Sequence, residues 1–201
     1  MKFIFDADGV VIRGDMFSVR YAKDYGIPAE ELLPFFKGVF RDCIVGKADL
    51  KTEIEPWLSR WNWHGSVDDF LEYWFKSEHQ IDERVVARIE QLRKQGYPCF
   101  LATNQEKYRI RYMKEQMGFD RLFDKIFSSA EIGYQKPQPE FFKYIIRELK
   151  VPPQDIIFFD DSESHVKEAE EQGIDAYLYT RFSDFESTLK KILSRYLKVF
   201  K

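Results

Sequence analysis

The chain has 201 residues, 44% of them hydrophobic and 32% charged, with a formal net charge of −3. That length suits one substantial domain with a small insertion and excludes two large ones, and the balance excludes a disordered chain. The charge offers no basic field for nucleic acid and no polybasic membrane anchor, and the two cysteines, Cys43 and Cys99, form neither a C-x-x-C pair nor a disulfide framework.

In chain order, the first apolar run spans residues 2–5 and is broken by Asp6 and Asp8. It is too short for a signal-peptide core, and no later run reaches membrane-spanning length, which predicts a soluble, cytoplasmic protein. Residues 14–81 carry no strand pattern. They predict helices over 17–25, 29–40, 48–61 with a break at Pro56, and 66–77, where Ser66 and Asp69 have capping-box spacing. Trp57, Trp61, Trp63 and Trp74 read as packing within this helical stretch rather than as a stacking platform for a ligand.

Beyond residue 81 the pattern changes. Apolar runs at 99–102, 125–128, 156–159 and 176–179 alternate with helical periodicity over 85–95, 108–117, 139–149, 163–172 and 184–197. Gly96, Gly118 and Gly173 follow helix ends, and Pro139 opens a first turn. Strands that are apolar almost throughout belong to a parallel sheet covered on both faces. The expected fold is therefore α/β, a Rossmann-like core with helices on both faces and a helical domain inserted after the first strand. The expected division is a core of residues 1–13 and 82–201 and an inserted helical unit of residues 14–81.

Four groups of chemically active residues fall at strand ends or a helix start, where an open α/β sheet gathers its ligands. Asp6 and Asp8 end the first strand. Thr103 and Asn104 end the second, Lys136 and Pro137 precede a helix, and Asp160 and Asp161 end a fourth run. Several carboxylates, one lysine and one hydroxyl suit Mg²⁺ together with a phosphoryl group, leaving an aspartate free to attack phosphorus. Taken singly, each pair also reads as an ordinary turn, helix cap or solvated charge.

Asp6-x-Asp8-Gly9-Val10, Thr103-Asn104, Lys136-Pro137 and Asp160-Asp161, in that order, resemble the four motifs of the haloacid dehalogenase-like hydrolases. The inserted helices resemble the C1-type cap of that superfamily's first subclass. The resemblance implies that Asp6 is a nucleophile and metal ligand. It implies that Asp8 is the general acid/base, with its backbone carbonyl on the metal. Thr103, the Asn104 backbone and Lys136 would bind the phosphoryl group, and Asp160 and Asp161 would join Asp6 and Asp8 around Mg²⁺. The family's dehalogenases lack the second aspartate, since a leaving halide needs no proton, so Asp8 points to phosphoryl transfer.

The expected protein is thus a magnesium-dependent phosphatase of a small phosphorylated metabolite, a sugar phosphate or nucleotide, acting as monomer or homodimer without nucleic-acid or membrane partners. A phosphomutase and a non-catalytic regulatory protein are the alternatives. Arg41 and Lys47, in the inserted helices, are candidate substrate contacts. His64, His79 and His165 show no metal-ligand spacing, although His165 follows the fourth motif.

Overall fold

The computed structural model describes residues 1–199, with side chains through residue 195; residues 200 and 201, the end of the expected core segment, lie outside it. The elements run β1 (Lys2–Phe5), α1 (Phe17–Tyr25), α2 (Ala29–Lys37), α3 (Phe40–Ile44), α4 (Leu50–Leu58), α5 (Val67–Ser77), α6 (Glu83–Lys94), β2 (Cys99–Thr103), α7 (Lys107–Glu115), α8 (Phe119–Leu122), β3 (Lys125–Ser128), α9 (Ser129–Ile132), α10 (Pro139–Leu149), a 3₁₀ turn (Pro153–Asp155), β4 (Ile156–Asp160), α11 (Glu163–Glu171), β5 (Asp175–Leu178) and α12 (Phe182–Val199).

The five strands form one parallel sheet in the order β3-β2-β1-β4-β5. Period-two alternation splits each strand between two cores. Phe3, Phe5, Leu101, Ile157 and Phe159 pack on one face against α6, α7 and α12 through Ile89, Ile110 and Phe185. Ile4, Phe100, Ala102, Ile156 and Phe158 pack on the other against α10 and α11 through Phe142, Ile145 and Val166. Both faces are dry, which is why these strands are apolar nearly throughout and why the fold is the expected Rossmann-like α/β arrangement. No helix among the described residues is long and apolar enough to cross a membrane.

Helices α1–α5 share a third apolar cluster, centred on Phe17, Tyr21, Trp61, Phe70 and Trp74. All four tryptophans belong to it, as does Cys43. Two expectations fail within this stretch. The helix expected over 29–40 is two, α2 and α3, parted at Gly38. A Cβ there would sit 2.6 Å from the Pro34 carbonyl oxygen, so the chain turns at the residue that has none. The expected break at Pro56 does not occur; α4 runs through it to Leu58. Proline in a helix interior costs about 3 kcal/mol. Ile54 and Leu58, buried on either side, supply about 1.5–3 kcal/mol each, enough to offset it.

The chain leaves and re-enters the sheet layer at two adjacent crossings. Arg13 N–H donates to the Gln80 carbonyl at 2.7 Å, Asp82 N–H donates to that of Val11 at 2.9 Å, and the Arg13 guanidinium pairs with Asp82 at 2.7 Å.

Candidate active site

All five strands are parallel, so their carboxyl ends share one edge. β1, β2 and β4 are neighbours there, and the residues that end them meet although they lie up to 155 positions apart. Asp6 follows β1, is 7% exposed and has its backbone fixed by an N–H bond to the Phe159 carbonyl at 2.9 Å. Asp160 ends β4 and is fully buried. Lys136, 2% exposed, reaches between them. Its ammonium contacts Asp6 Oδ1 at 2.8 Å, Asp160 Oδ2 at 2.6 Å and the Ala102 carbonyl at 2.9 Å. Three acceptors use all three of its protons.

Asn104 explains how Lys136 is held. Its side-chain oxygen accepts the Lys136 N–H at 2.8 Å, and its amide donates to the Lys136 carbonyl at 2.9 Å. The side chain is thereby committed to holding the loop. Beside it Thr103 is 1% exposed, and its hydroxyl has no partner among the described residues. A buried hydroxyl without a partner costs about 1–3 kcal/mol, so Thr103 marks a position where a polar ligand atom would be stabilising.

The acids differ in their surroundings. Burial works against ionisation of Asp160, but Lys136 and a hydrogen bond from His165 prevail and hold its carboxyl at about 2. His165 Nδ1 lies 2.9 Å from Asp160 Oδ1; a carboxylate only accepts, so Nδ1 carries the proton. The Ser162 N–H donates to the same oxygen at 2.9 Å. Both oxygens of Asp160 are therefore engaged. Asp6 is pushed well above the usual carboxylate range. Burial is the main cause, Lys136 opposes it, and the neighbouring Asp160 and Asp8 add to it. Its Oδ1 takes the Lys136 contact and the Ala7 N–H at 2.7 Å, leaving Oδ2 without a donor among the described residues.

Asp161 is exposed and meets no cationic side chain at hydrogen-bond distance among the described residues; burial of part of its carboxyl and the Asp160 charge push its pKa up. It lies against the loop after β1, where a Cβ on Gly9 would fall 2.0 Å from its Oδ2. Gly9, at φ +78°, is therefore required twice over, by its backbone conformation and by this approach.

Asp8 is exposed, and its Oδ2 accepts a 2.5 Å hydrogen bond from the Gln105 amide. Sequence reasoning passed over Gln105, since a lone glutamine carries no pattern. In the sequence His165 stands out only by its place after the fourth motif.

Arg41 and Lys47 are exposed and have no ion-pair partner among the described residues. Their segment does reach the carboxyl edge: the Ser129 hydroxyl at the start of α9 donates to the Ile44 carbonyl at 2.7 Å, and Gly46 lies against the Ala130 backbone.

Oxygen donors dominate this edge. Asp6 Oδ2 and the Asp161 carboxylate are uncommitted, and Lys136 is too little positive charge for Asp6, Asp8, Asp160 and Asp161. Such a set fits a hard divalent cation. Asp6, Asp160 and His165 offer ligand atoms within 4.8 Å of one another, but His165 Nδ1 is committed to Asp160.

A family model for haloacid dehalogenase-like hydrolases matches residues 3–173. The chain is 24% identical over 135 residues to the D-ribitol-5-phosphate phosphatase of Bacteroides thetaiotaomicron, covering 64% of this chain and 65% of that enzyme. It is 29% identical over 195 residues to phosphatase MT3486 of Mycobacterium tuberculosis, covering 89% and 86%. Other curated relatives are spanned over as little as 13% of their length. In structure the chain is similar to a HAD family enzyme, bt-2542, from Bacteroides thetaiotaomicron, solved with magnesium and inorganic phosphate. The TM-score is 0.76 at 22% identity, over 89% of this chain and 93% of that one.

Proposed function

The chain belongs to the haloacid dehalogenase-like hydrolase family, and on that premise we propose that it is a magnesium-dependent phosphatase of small phosphorylated metabolites, with Asp6 as nucleophile. The observation that carries this is the Lys136 ammonium shared between Asp6 and Asp160 at 2.8 and 2.6 Å, beside an unpartnered Thr103 hydroxyl. A buried lysine between two acids serves structure alone in many proteins. An orphan hydroxyl and a free nucleophile oxygen at the same edge are what a transferred phosphoryl group requires. The phosphatase names among the relatives point the same way.

Asp6 Oδ2, the Asp8 carbonyl and Asp161 would hold Mg²⁺, with Asp160 directly or through water. The ion would supply the charge that keeps Asp6 ionised and neutralises phosphoryl oxygens. Lys136 holds Asp6 through Oδ1, which orients its carboxylate for the attack. Thr103 and the Asn104 N–H receive the phosphoryl oxygens. The Asp6 carboxylate bonds to phosphorus as the bond to the leaving oxygen breaks, and Asp8 gives that oxygen its proton. Asp8, now a carboxylate, takes a proton from water as the water attacks phosphorus and frees Asp6. His165 orients Asp160 through its Nδ1–H rather than binding the ion.

Helices α1–α5, the unit of residues 14–81, would form a cap over this edge, with residues 1–13 and 82–201 as the core. A cap of that size favours sugar phosphates and nucleotides over phosphoproteins, with Arg41 and Lys47 as candidate contacts to the leaving group.

The test is phosphate release from a panel of sugar phosphates, nucleotides and an aryl phosphate, with Mg²⁺ and with chelator, for the native protein and Asp6→Asn. Release that needs Mg²⁺ and is lost in Asp6→Asn is expected. Release that persists in freshly purified Asp6→Asn would contradict the assignment.

A further inference from the structure

The Asp8 side chain is exposed, and a carboxylate free to rotate there would spend little time aimed at a leaving group. Gln105 limits that freedom. Its amide donates to Asp8 Oδ2 at 2.5 Å across 97 positions of sequence.

The donor is itself firmly held. On one side Asn104 makes two hydrogen bonds to the Lys136 backbone. On the other, the buried Glu106 carboxylate caps α7, accepting the N–H groups of Tyr108 and Arg109. The Gln105 carbonyl faces the Ser129 hydroxyl at 3.4 Å, the hydroxyl that also donates to Ile44 of α3. Gln105 thus sits between two fixed neighbours on a loop braced from a third element. Its amide is placed before any substrate arrives.

We infer that Gln105 is a positioning residue for Asp8, fixing which carboxyl oxygen carries the proton to the leaving group; this rests on the phosphatase reading above. The chemistry of the contact gives the direction. A side-chain NH₂ only donates, so the oxygen it meets cannot hold a proton pointed at it. Protonated Asp8 therefore carries its hydrogen on Oδ1, with Oδ2 accepting from Gln105. In the first half-reaction that proton passes from Oδ1 to the leaving oxygen as its bond to phosphorus breaks. In the second, Oδ1 takes a proton from the attacking water. Without Gln105 the carboxyl group samples other rotamers and the proton sits on either oxygen. The cost falls on the steps that move it, and most on substrates whose leaving group departs poorly unprotonated.

The test compares an alkyl phosphate, whose alkoxide leaves poorly, with 4-nitrophenyl phosphate, whose phenoxide leaves well. Single-turnover release of the leaving group is measured for the native protein, Gln105→Ala and Gln105→Glu, with Asp6→Asn as control. Gln105→Glu keeps the shape and removes the donor. Gln105 is only half-buried, so both variants should fold, and thermal unfolding checks this. General acid catalysis contributes about 10²–10⁴-fold, and misplacing the acid forfeits part of it. Both variants should lose at least about tenfold more rate on the alkyl than on the nitrophenyl substrate. Equal losses on both substrates, or no loss on either, would overturn the inference. So would a Gln105→Glu variant that matches the native protein. If the native protein and Asp6→Asn turn over neither substrate, the phosphatase reading falls, and this inference with it.

Discussion

His165 shows how one side chain supports the site without being part of its motif. Its Nδ1–H fixes Asp160, which in turn shares Lys136 with Asp6. Removing a group that orients a metal site through a ligand or its neighbour commonly weakens metal binding by about 10–100-fold. His165→Ala should raise the Mg²⁺ concentration needed for half-maximal activity by about that factor, with a matching loss of the thermal shift that Mg²⁺ gives. An unchanged Mg²⁺ requirement would mean that the bond only packs α11. At this scale the sequence was legible where chemistry forbids the bland alternative. Asp6 and Asp160 are buried carboxylates ending apolar strands, and such groups need partners wherever they occur. Gln105 and His165 were not legible, because their roles depend on which distant atom they meet.

Among the elements, α7 begins in an unusual way. Its N-cap is Glu106, buried, with its carboxyl pushed up to about 7 from an ordinary 4.5; burial raises it, and the two backbone N–H bonds and Arg109 only partly oppose this. The folded state therefore holds a proton that the unfolded chain releases between these values. Stability falls as pH rises from about 4.5 to about 7, by up to about 3 kcal/mol from this group. Glu106→Gln keeps one of the two acceptors for the helix and removes the charge, so the pH dependence of the difference, not its size, is the readout. In urea unfolding with chelator present, the variant should gain on the native protein between about pH 5 and about pH 8. A constant difference across that range would show that Glu106 is not strained by burial.

The strands were the most legible elements, since nearly unbroken apolar runs such as 156–159 have few other homes. The short helices α3, α8 and α9 were not, because four or five residues give too little periodicity. Pro56 misled because propensity is local, while Ile54 and Leu58 are held by the rest of the helical cluster.

Across the whole molecule, the helices of residues 17–77 are joined to the sheet layer by buried polar contacts as well as by chain crossings. Arg109 of α7 is 2% exposed. Its guanidinium donates to the Phe75 carbonyl at 2.8 Å and the Glu78 carbonyl at 3.3 Å, and lies 3.7 Å from the Glu78 carboxylate. Arg109→Met would leave those two carbonyls without this donor and Glu78 without its cation, at a cost on the order of 3 kcal/mol. Urea unfolding measures this directly; a loss under about 1 kcal/mol would show that water replaces the arginine. The sequence foretold the parallel sheet with helices on both faces, through the alternation of strands and helices beyond residue 81. It could not foretell this junction, which depends on how two separately patterned units meet.

The central claim is that Asp6 becomes covalently phosphorylated. It is tested most directly by quenching the protein during turnover of its best substrate, reducing with borohydride and sequencing the N-terminal peptide by mass spectrometry. An acyl phosphate is reduced to homoserine, so position 6 should carry homoserine when Mg²⁺ and substrate are both present, and aspartate when either is withheld. Vigorous turnover with position 6 unmodified, or homoserine at another aspartate, would contradict it.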